Sequence, residues 1–420
     1  MRAKRNMIAL TMATALLLTG LPPAHAASAS TEDALAAAGG SGGELVAGKD
    51  LYAEDAEGTV SFENLERRVR ENATTMKMLD ETIASIDATD FDKMYDDLRE
   101  SLNNISKAQY QLILGGQKES YTYQQLSNTY TSIEQTFDDL KEGKLQQDAE
   151  AARRQLQNAQ DQTVMGAETL YIAILEMQNS RTGLQRQLSA MDRSVAEMEL
   201  RYQLGQISAL TLQQVKDGRT QLQSGLTTLE MNLGNYTCQL EVLLGLPQTG
   251  TLTLQEVPQV AKSQVEKMSL EDDLAAAKEK SYTLYAAKRD LDAAKETYDD
   301  ARDTYHADDY EMKSAEHTYA AAQYTYQSAV ENYELSFRTM FAAVADYQQV
   351  LEASESALDY QRSSYAASEL KYQQGTISKN TLLTAQDDLH TAEDAVTTAR
   401  HNLFSAYTTY LWAVEYGILN

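Results

Sequence analysis

Proline is nearly missing from this chain of 420 residues. Only Pro22, Pro23, Pro247 and Pro258 occur, two of them in an apolar leader, so long stretches run without a helix breaker. Cysteine is rarer still. The single thiol, Cys238, excludes an intrachain disulfide and, in a helical, partly apolar run, reads as a small core residue. The histidines, at positions 25, 306, 317, 390 and 401, show no metal spacing such as two at i and i+4 on one helix. No Gly-rich phosphate loop, Gly-x-Ser-x-Gly elbow or Cys-His pairing occurs. The abundant carboxylates suit solvated helices with i,i+4 pairing. No catalytic residue, metal or cofactor is assigned, and the chain is not expected to be an enzyme.

Positive charge is also scarce. With 36 Lys and Arg against 62 Asp and Glu the formal charge is -26, which excludes nucleic acid as a natural partner. Long apolar runs are absent beyond the leader, so no transmembrane helix is expected and a spanning role would require a barrel. The leader itself has a basic start (Arg2, Lys4, Arg5), an apolar stretch from Met7 to Leu21 and a small-residue site at Ala24-His25-Ala26. Residues 1–26 therefore read as a secretory signal peptide. Its removal takes the charge to about -29, and with no cysteine at the cleavage site, lipid anchoring of the new N-terminus is not expected.

What the sequence does contain is a duplication. SVAEMELRYQLGQISALTLQ at 194–213 and SYAASELKYQQGTISKNTLL at 364–383 agree at eleven of twenty positions, at an offset of 170. In each copy a helical run ends at a glycine, Gly205 or Gly375, able to adopt the left-handed conformation that closes a helix. Three residues later Ser208 or Ser378 supplies an N-cap. Each copy is thus a helix, a tight turn and a returning helix. A generic antiparallel hairpin explains that geometry, but a turn spelled Gly-x-Ile-Ser twice reads as a contact surface.

The organisation follows. Residues 27–58, with Gly39-Gly-Ser-Gly-Gly43, form a flexible lead-in. A first helical repeat occupies 59–246, a linker 247–268 with a short strand at Thr251–Leu254, and a second repeat 269–420. Ser61-Phe-Glu63 matches Ser269-Leu-Glu271 at an offset of 208, so the first repeat carries 38 additional residues, placed as a helical insertion at about 86–123. One helix is expected from Ser61 to about Ile86, and one from Ser269 to about Tyr305. Gly115-Gly116, Glu142-Gly143 and Ala307-Asp308 mark further breaks. From Asp309 to Tyr372 nothing stops a helix, which at 1.5 Å per residue spans roughly 96 Å. Tyr298, Tyr305, Met312, Tyr319, Tyr326, Tyr333, Met340 and Tyr347 recur every seven residues, with Ala301, Ala315, Ala322, Ala329 and Ala343 three behind members of that series. Tyr305, Tyr319, Tyr326, Tyr333 and Tyr347 are accordingly expected to pack a heptad seam, large against small. The fold class is all-α: long antiparallel helical hairpins in two tandem repeats.

The motifs carry a resemblance. Leu170-Tyr171-Ile172-Ala173-Ile174, Arg201-Tyr-x-x-Gly205-x-Ile-Ser208 and Leu243-Leu-Gly245-Leu-Pro247, then Met340-Phe341-Ala342-Ala343-Val344, Lys371-Tyr-x-x-Gly375-Thr-Ile-Ser378, Leu389-His-Thr-Ala392 and Ala399-Arg-His-Asn402-Leu403, resemble the TolC family of outer-membrane efflux channels over roughly 147–420. The resemblance implies a passive homotrimer, a coiled-coil tube in a tripartite export system of the type I secretion or multidrug class. The tips Gly205, Gln206, Ile207, Ser208 and Gly375, Thr376, Ile377, Ser378 would dock a periplasmic membrane-fusion adaptor, itself joined to an inner-membrane ABC or proton-driven pump. Asp217, Asp387 and Asp388 become candidate pore-lining acids, although ordinary solvated aspartates fit as well.

One part of the family pattern is missing. Barrel strands should alternate apolar and polar over about ten residues. Gln109–Leu114 and Tyr121–Tyr123 are too short, and the second half has none, so the barrel strands are expected to be reduced or absent. Localisation then follows the family to the outer membrane and envelope or, without a barrel, to the wall or the exterior. The competing class is a secreted coiled-coil scaffold that conducts nothing. An adaptor is a poorer fit, because neither a lipoyl-like nor a β-barrel domain is evident.

Overall fold

A computed structural model describes Asp55 and residues 58–419. The leader and nearly all of the lead-in at 27–58 lie outside the described residues. Among the described residues eleven helices follow in order: α1 Phe62–Asn72, α2 Thr74–Asp87, α3 Phe91–Leu114, α4 Tyr121–Lys141, α5 Lys144–Gln203, α6 Ala209–Leu243, α7 Lys262–Val265, α8 Leu270–Lys280, α9 Tyr282–Thr304, α10 Tyr310–Gln373 and α11 Lys379–Tyr416. Among the described residues the strands are β1 Thr59–Val60 and β2 Thr253–Leu254, a parallel pair in which Thr59 faces Thr253. Two residues are too few for a membrane-crossing strand.

The described residues form two compact units, one of Lys77–Gln160 and one of the described residues up to Met76 together with those from Asp161 on. In the first unit, α2 packs on the start of α5 through buried Leu79, Ile86, Ala149 and Leu156. Gln160 Nε2 donates to Asp80 Oδ1 at 2.7 Å. α3 and α4 form a hairpin whose rings Tyr95 and Phe137 meet at 4.8 Å.

The second unit has two cores. One gathers Val60, Leu65 and Val69 against Tyr171, Ile174, Leu240, Phe404 and Trp412. The Tyr171 hydroxyl lies 2.9 Å from the Val60 carbonyl and 2.6 Å from that of Gln255, donating to one at a time across the strand pair. The other core joins Leu274 and Ala277 to Tyr333, Phe337, Val344, Leu403 and Tyr410. Tyr333 repeats the device, its hydroxyl 3.0 Å from the Ala277 carbonyl and 3.1 Å from that of Gly417. Burying each large side chain contributes about 1.5–3 kcal/mol, so these cores anchor helices whose far ends are thinly packed.

The two expected N-terminal helices are each broken once. Ala73 (φ -60°, ψ 129°) separates α1 from α2, and Ser281 (φ -62°, ψ 116°) separates α8 from α9. The positions differ by 208, the offset of the repeat itself. Packing explains the break. The helix that ends each repeat closes on a left-handed glycine, Gly245 (φ 65°) or Gly417 (φ 70°). A Cβ on Gly245 would come 2.8 Å from the Asn72 carbonyl oxygen, and one on Gly417 2.4 Å from the Ser281 amide nitrogen. Backbone therefore touches backbone at the base of both repeats, and an unbroken helix would occupy that space.

Two carboxyls are buried at these bases. Glu168 is only 8% exposed and accepts a hydrogen bond from the Trp412 indole at 2.5 Å. Burial pushes its carboxyl up to about 7, against the indole bond and Arg70, with Glu66 and Glu415 adding to the rise. Glu241 is its opposite. Burial disfavours its charge, but the amides of Gly250, Thr249 and Thr251 and the Thr249 hydroxyl outweigh that and hold its carboxyl below the ordinary value. This one carboxylate folds the start of the linker. Cys238 is half-buried with its Sγ facing Gly250, so it borders the linker rather than filling a core.

Candidate docking tips and the polar seam behind them

The two Gly-x-Ile-Ser turns have the same construction. Gly205 and Gly375 take φ of 70° and 74°, with open space where a Cβ would stand, so glycine is required there by conformation alone. At the first tip the Gly205 amide donates to the Tyr202 carbonyl at 2.9 Å and the Gln206 amide to Arg201 at 2.8 Å. At the second, Gly375 donates to Tyr372 at 2.8 Å and Thr376 to Lys371 at 2.9 Å. Both are Schellman closures. Ser208 and Ser378 then accept from the amides of Thr211 and Thr381 at 3.1 and 3.2 Å and start the returning helices.

Exposure refines what each tip presents. Gly205, Gln206 and Ser208 are exposed, as are Gly375, Thr376 and Ser378, while Ile207 and Ile377 are half-buried. The isoleucines thus steady the turn, and the outward apolar surface comes from elsewhere. At the first tip it is Leu200, Tyr202, Leu204 and Leu210; at the second, Leu370 and Tyr372. Leu204 and Leu210 fall where the copies differ, opposite Gln374 and Asn380, so comparing the shared letters passes over them. The first tip is the more apolar, while the second carries Lys379.

Behind the tips a polar seam joins α5 to α11. Asn179 Nδ2 donates to Thr398 Oγ1 at 3.2 Å, Arg186 Nη1 to Asp394 Oδ1 at 2.8 Å, Arg193 to Asp387, and Asn380 Nδ2 to Glu197 Oε2 at 3.4 Å. Arg186 and Arg193 are seven residues apart, as are Asp387 and Asp394, so one antiparallel heptad register aligns cations on one helix with anions on the other. Asp394 is 1% exposed, which makes its guanidinium partner a structural requirement. Farther along, His401 is buried and its Nε2 lies 3.2 Å from Glu256 Oε2. Burial raises the carboxyl of Glu176 nearby, with His401 opposing.

The three candidate pore acids separate here. Asp387 is half-buried in the seam. Asp217 is exposed and accepts from Gln213 at 2.8 Å, and Asp388 is exposed. The hairpin holding Asp217 is closed by ion pairs between α5 and α6, Lys216 to Glu199 at 2.7 Å and Arg219 to Asp192 at 2.5 Å.

Among the heptad tyrosines, Tyr319 stacks on Tyr298 at 5.4 Å where α10 returns along α9. Tyr326 is half-buried, Tyr333 is in the second core and Tyr347 packs against it. Tyr305 departs from the series. It caps α9 in an extended conformation (φ -114°, ψ 160°) and is largely exposed, because the count of seven runs across a turn that ends one helix before the next begins.

Among the described residues no cluster of His, Cys, Asp or Glu is placed to hold a metal ion, and no helix is long and apolar enough to cross a membrane. What the arrangement offers is shaped, partly apolar turns on long helices braced by ion pairs.

No family model and no curated protein matches this sequence. Among solved structures, the chain is similar to the outer-membrane channel OprN, with a TM-score of 0.50 at 13% identity over 89% of this chain and 98% of that one. It is also similar to the outer membrane protein VceC of Vibrio cholerae (0.45, 12% identity, 84% and 95%) and to the MtrE outer membrane channel of Neisseria gonorrhoeae (0.45, 13%, 85% and 89%). The fold is therefore the TolC-like helical fold of outer-membrane channels, carried here with only two two-residue strands among the described residues.

Proposed function

We propose that this protein is a passive conduit component of an envelope export system, working as a homotrimer whose hairpin tips receive a helical membrane-fusion adaptor coupled to an inner-membrane pump. The observation that carries the reading is the paired tip: two turns 170 residues apart with the same Schellman closure, the same serine cap and the same exposure pattern, on helices of a channel-like fold. A structural rod needs hairpins but gains nothing from building one turn twice. Exposed aliphatic side chains beside each turn suit ridge-to-groove contact with another helical hairpin. Asp217 and Asp388, exposed near the tips, are the acids available to a lumen, whereas Asp387 is engaged with Arg193.

The test is conductance across planar bilayers by the purified mature chain, at a concentration where its mass is that of a trimer. Discrete openings support the conduit. A stable trimer with no conductance, alone or with its adaptor, leaves a scaffold and overturns the proposal.

A further inference from the structure

The α3–α4 hairpin of the first unit ends in surface that the conduit reading does not use. Its turn, Gly115–Ser120, is flanked by Tyr110 (58% exposed), Ile113 (43%), Leu114 (64%) and Tyr121 (74%). Along both helices only Leu98 and Leu140, near the hairpin's base, are buried. Toward the tip, Ile105, Leu112, Tyr123, Leu126 and Tyr130 reach only half-burial between the two helices.

The same place is poor in acids. From Ser101 to Ile133 the sole acid is Glu119, although at the chain's average of 62 acids in 420 residues this stretch would hold about five. Two exposed lysines remain, Lys107 behind the apolar cluster and Lys118 in the turn. The α9–α10 turn provides the contrast. It also exposes tyrosines, Tyr305 and Tyr310, but sets them among Asp303, Asp308, Asp309 and Glu311. Acid depletion is therefore not a feature of every turn in this protein: residues 200–216 and 370–386 at the α5–α6 and α10–α11 tips share it, and the α9–α10 turn does not.

We propose that the α3–α4 tip is a membrane anchor that inserts shallowly into an anionic lipid surface. A chain of this net charge is repelled by such a surface, and over a screening distance of about 8 Å the repulsion is set by the charges nearest the lipid. Removing acids from that end and leaving two lysines reverses the local sign. Leu114 and Ile113 enter the acyl boundary, Tyr110 and Tyr121 sit at headgroup level with their hydroxyls in water, and the lysines reach the phosphates along apolar stems. The contact is interfacial, because neither helix is apolar enough to span. It does not rest on the conduit reading and uses none of the residues at the α5–α6 and α10–α11 tips.

Vesicle flotation of the mature chain tests this, with phosphatidylcholine alone and mixed with phosphatidylglycerol, at low and high salt. Wild type is expected to float with the mixed vesicles and to be released by salt. Ile113→Ser/Leu114→Ser and Lys107→Glu/Lys118→Glu should each weaken partitioning by about tenfold or more. Tyr305→Ser/Tyr310→Ser should float as wild type. All these positions except half-exposed Ile113 and Tyr305 are largely solvent-facing, and unchanged helicity and melting confirm folding. Tyr121→Trp adds a direct readout, since its emission should shift to the blue with mixed vesicles while buried Trp412 does not respond. Flotation indifferent to the tip substitutions, or no flotation at all, overturns the proposal. So does a self-association that the same substitutions abolish in the absence of lipid, which would assign the tip to a second copy.

Discussion

Substituting Glu168 by glutamine should make the protein more stable at pH 8 and leave it unchanged near pH 4.5. The carboxyl is buried beneath Trp412 and titrates at about 7 rather than an ordinary 4.5. Below the ordinary value it is protonated in both folded and unfolded chains and contributes nothing. Between the two values the unfolded chain has released the proton and the folded chain holds it, so stability falls as pH rises, at about 1.4 kcal/mol per pH unit. The accumulated penalty is about 3 kcal/mol by pH 7 and stays constant above it. Glutamine keeps an oxygen for the indole N–H and does not ionise. The assay is already present in the chain, because Trp412 is its only tryptophan and reports directly on this core. Urea unfolding followed by its fluorescence should show the variant's midpoint about 1 M higher at pH 8 and coincident with wild type at pH 4.5. A difference that is the same at both values would refute the argument, since it would then be a packing effect.

Other substitutions probe other parts of the frame. Gly205→Val with Gly375→Val forces a β-branched residue to positive φ and should cost about 1–2 kcal/mol at each turn, speeding amide exchange at Gln206 and Thr376 while the Trp412 transition is unmoved. Arg186→Ala removes the guanidinium from a carboxylate with 1% exposure and should cost about 2–3 kcal/mol, discounted for the arginine's own partial exposure; in a double-mutant cycle with Asp394→Ala most of that should vanish. Gly417→Ala should cost about 3 kcal/mol or more because its methyl meets the Ser281 backbone, whereas Gly116→Ala, with the same sign of φ but open space, should cost about 1 kcal/mol; equal losses by urea unfolding would discount the contact. Glu241 has a depressed carboxyl, so its contribution is present above the ordinary 4.5 and disappears as pH falls through its lower folded value; proteolysis within 248–260 should accelerate there in wild type, and at pH 7 in Glu241→Gln.

Much of the frame was legible because its signals are local. Gly205 with Ser208, and Gly375 with Ser378, each state a helix end and a helix start within four letters, and the linker announces itself at Gly245-Leu-Pro247. The breaks at Ala73 and Ser281 were not, since no proline or glycine marks them and the cause is backbone arriving from Gly245 and Gly417, far along the chain. Tyr305 misled for a related reason: counting by sevens carries register through a turn that the backbone does not respect. At the candidate site, the turn residues stood in the sequence, but the partner of Asp387 is 194 residues away and no local pattern couples it to Arg193. Leu204 and Leu210 lay in plain view at positions where the copies disagree, which a search for agreement discards.

The first core has a consequence for the order in which the molecule can be made. Glu168 and Trp412 are 244 positions apart, and Ile418 belongs to the same core as Val60. The α5–α6 hairpin closes from neighbours in sequence and can form early; the base that seats it waits for the final helix, because distant pairings repay their loop entropy only once both ends are present. A ribosome that stops within α11 thus releases helices over an unfinished core, with Phe62 and Tyr171 uncovered. The first repeat is complete only once α11 has been added, and the rise of Trp412 to its buried emission should be a late step of refolding.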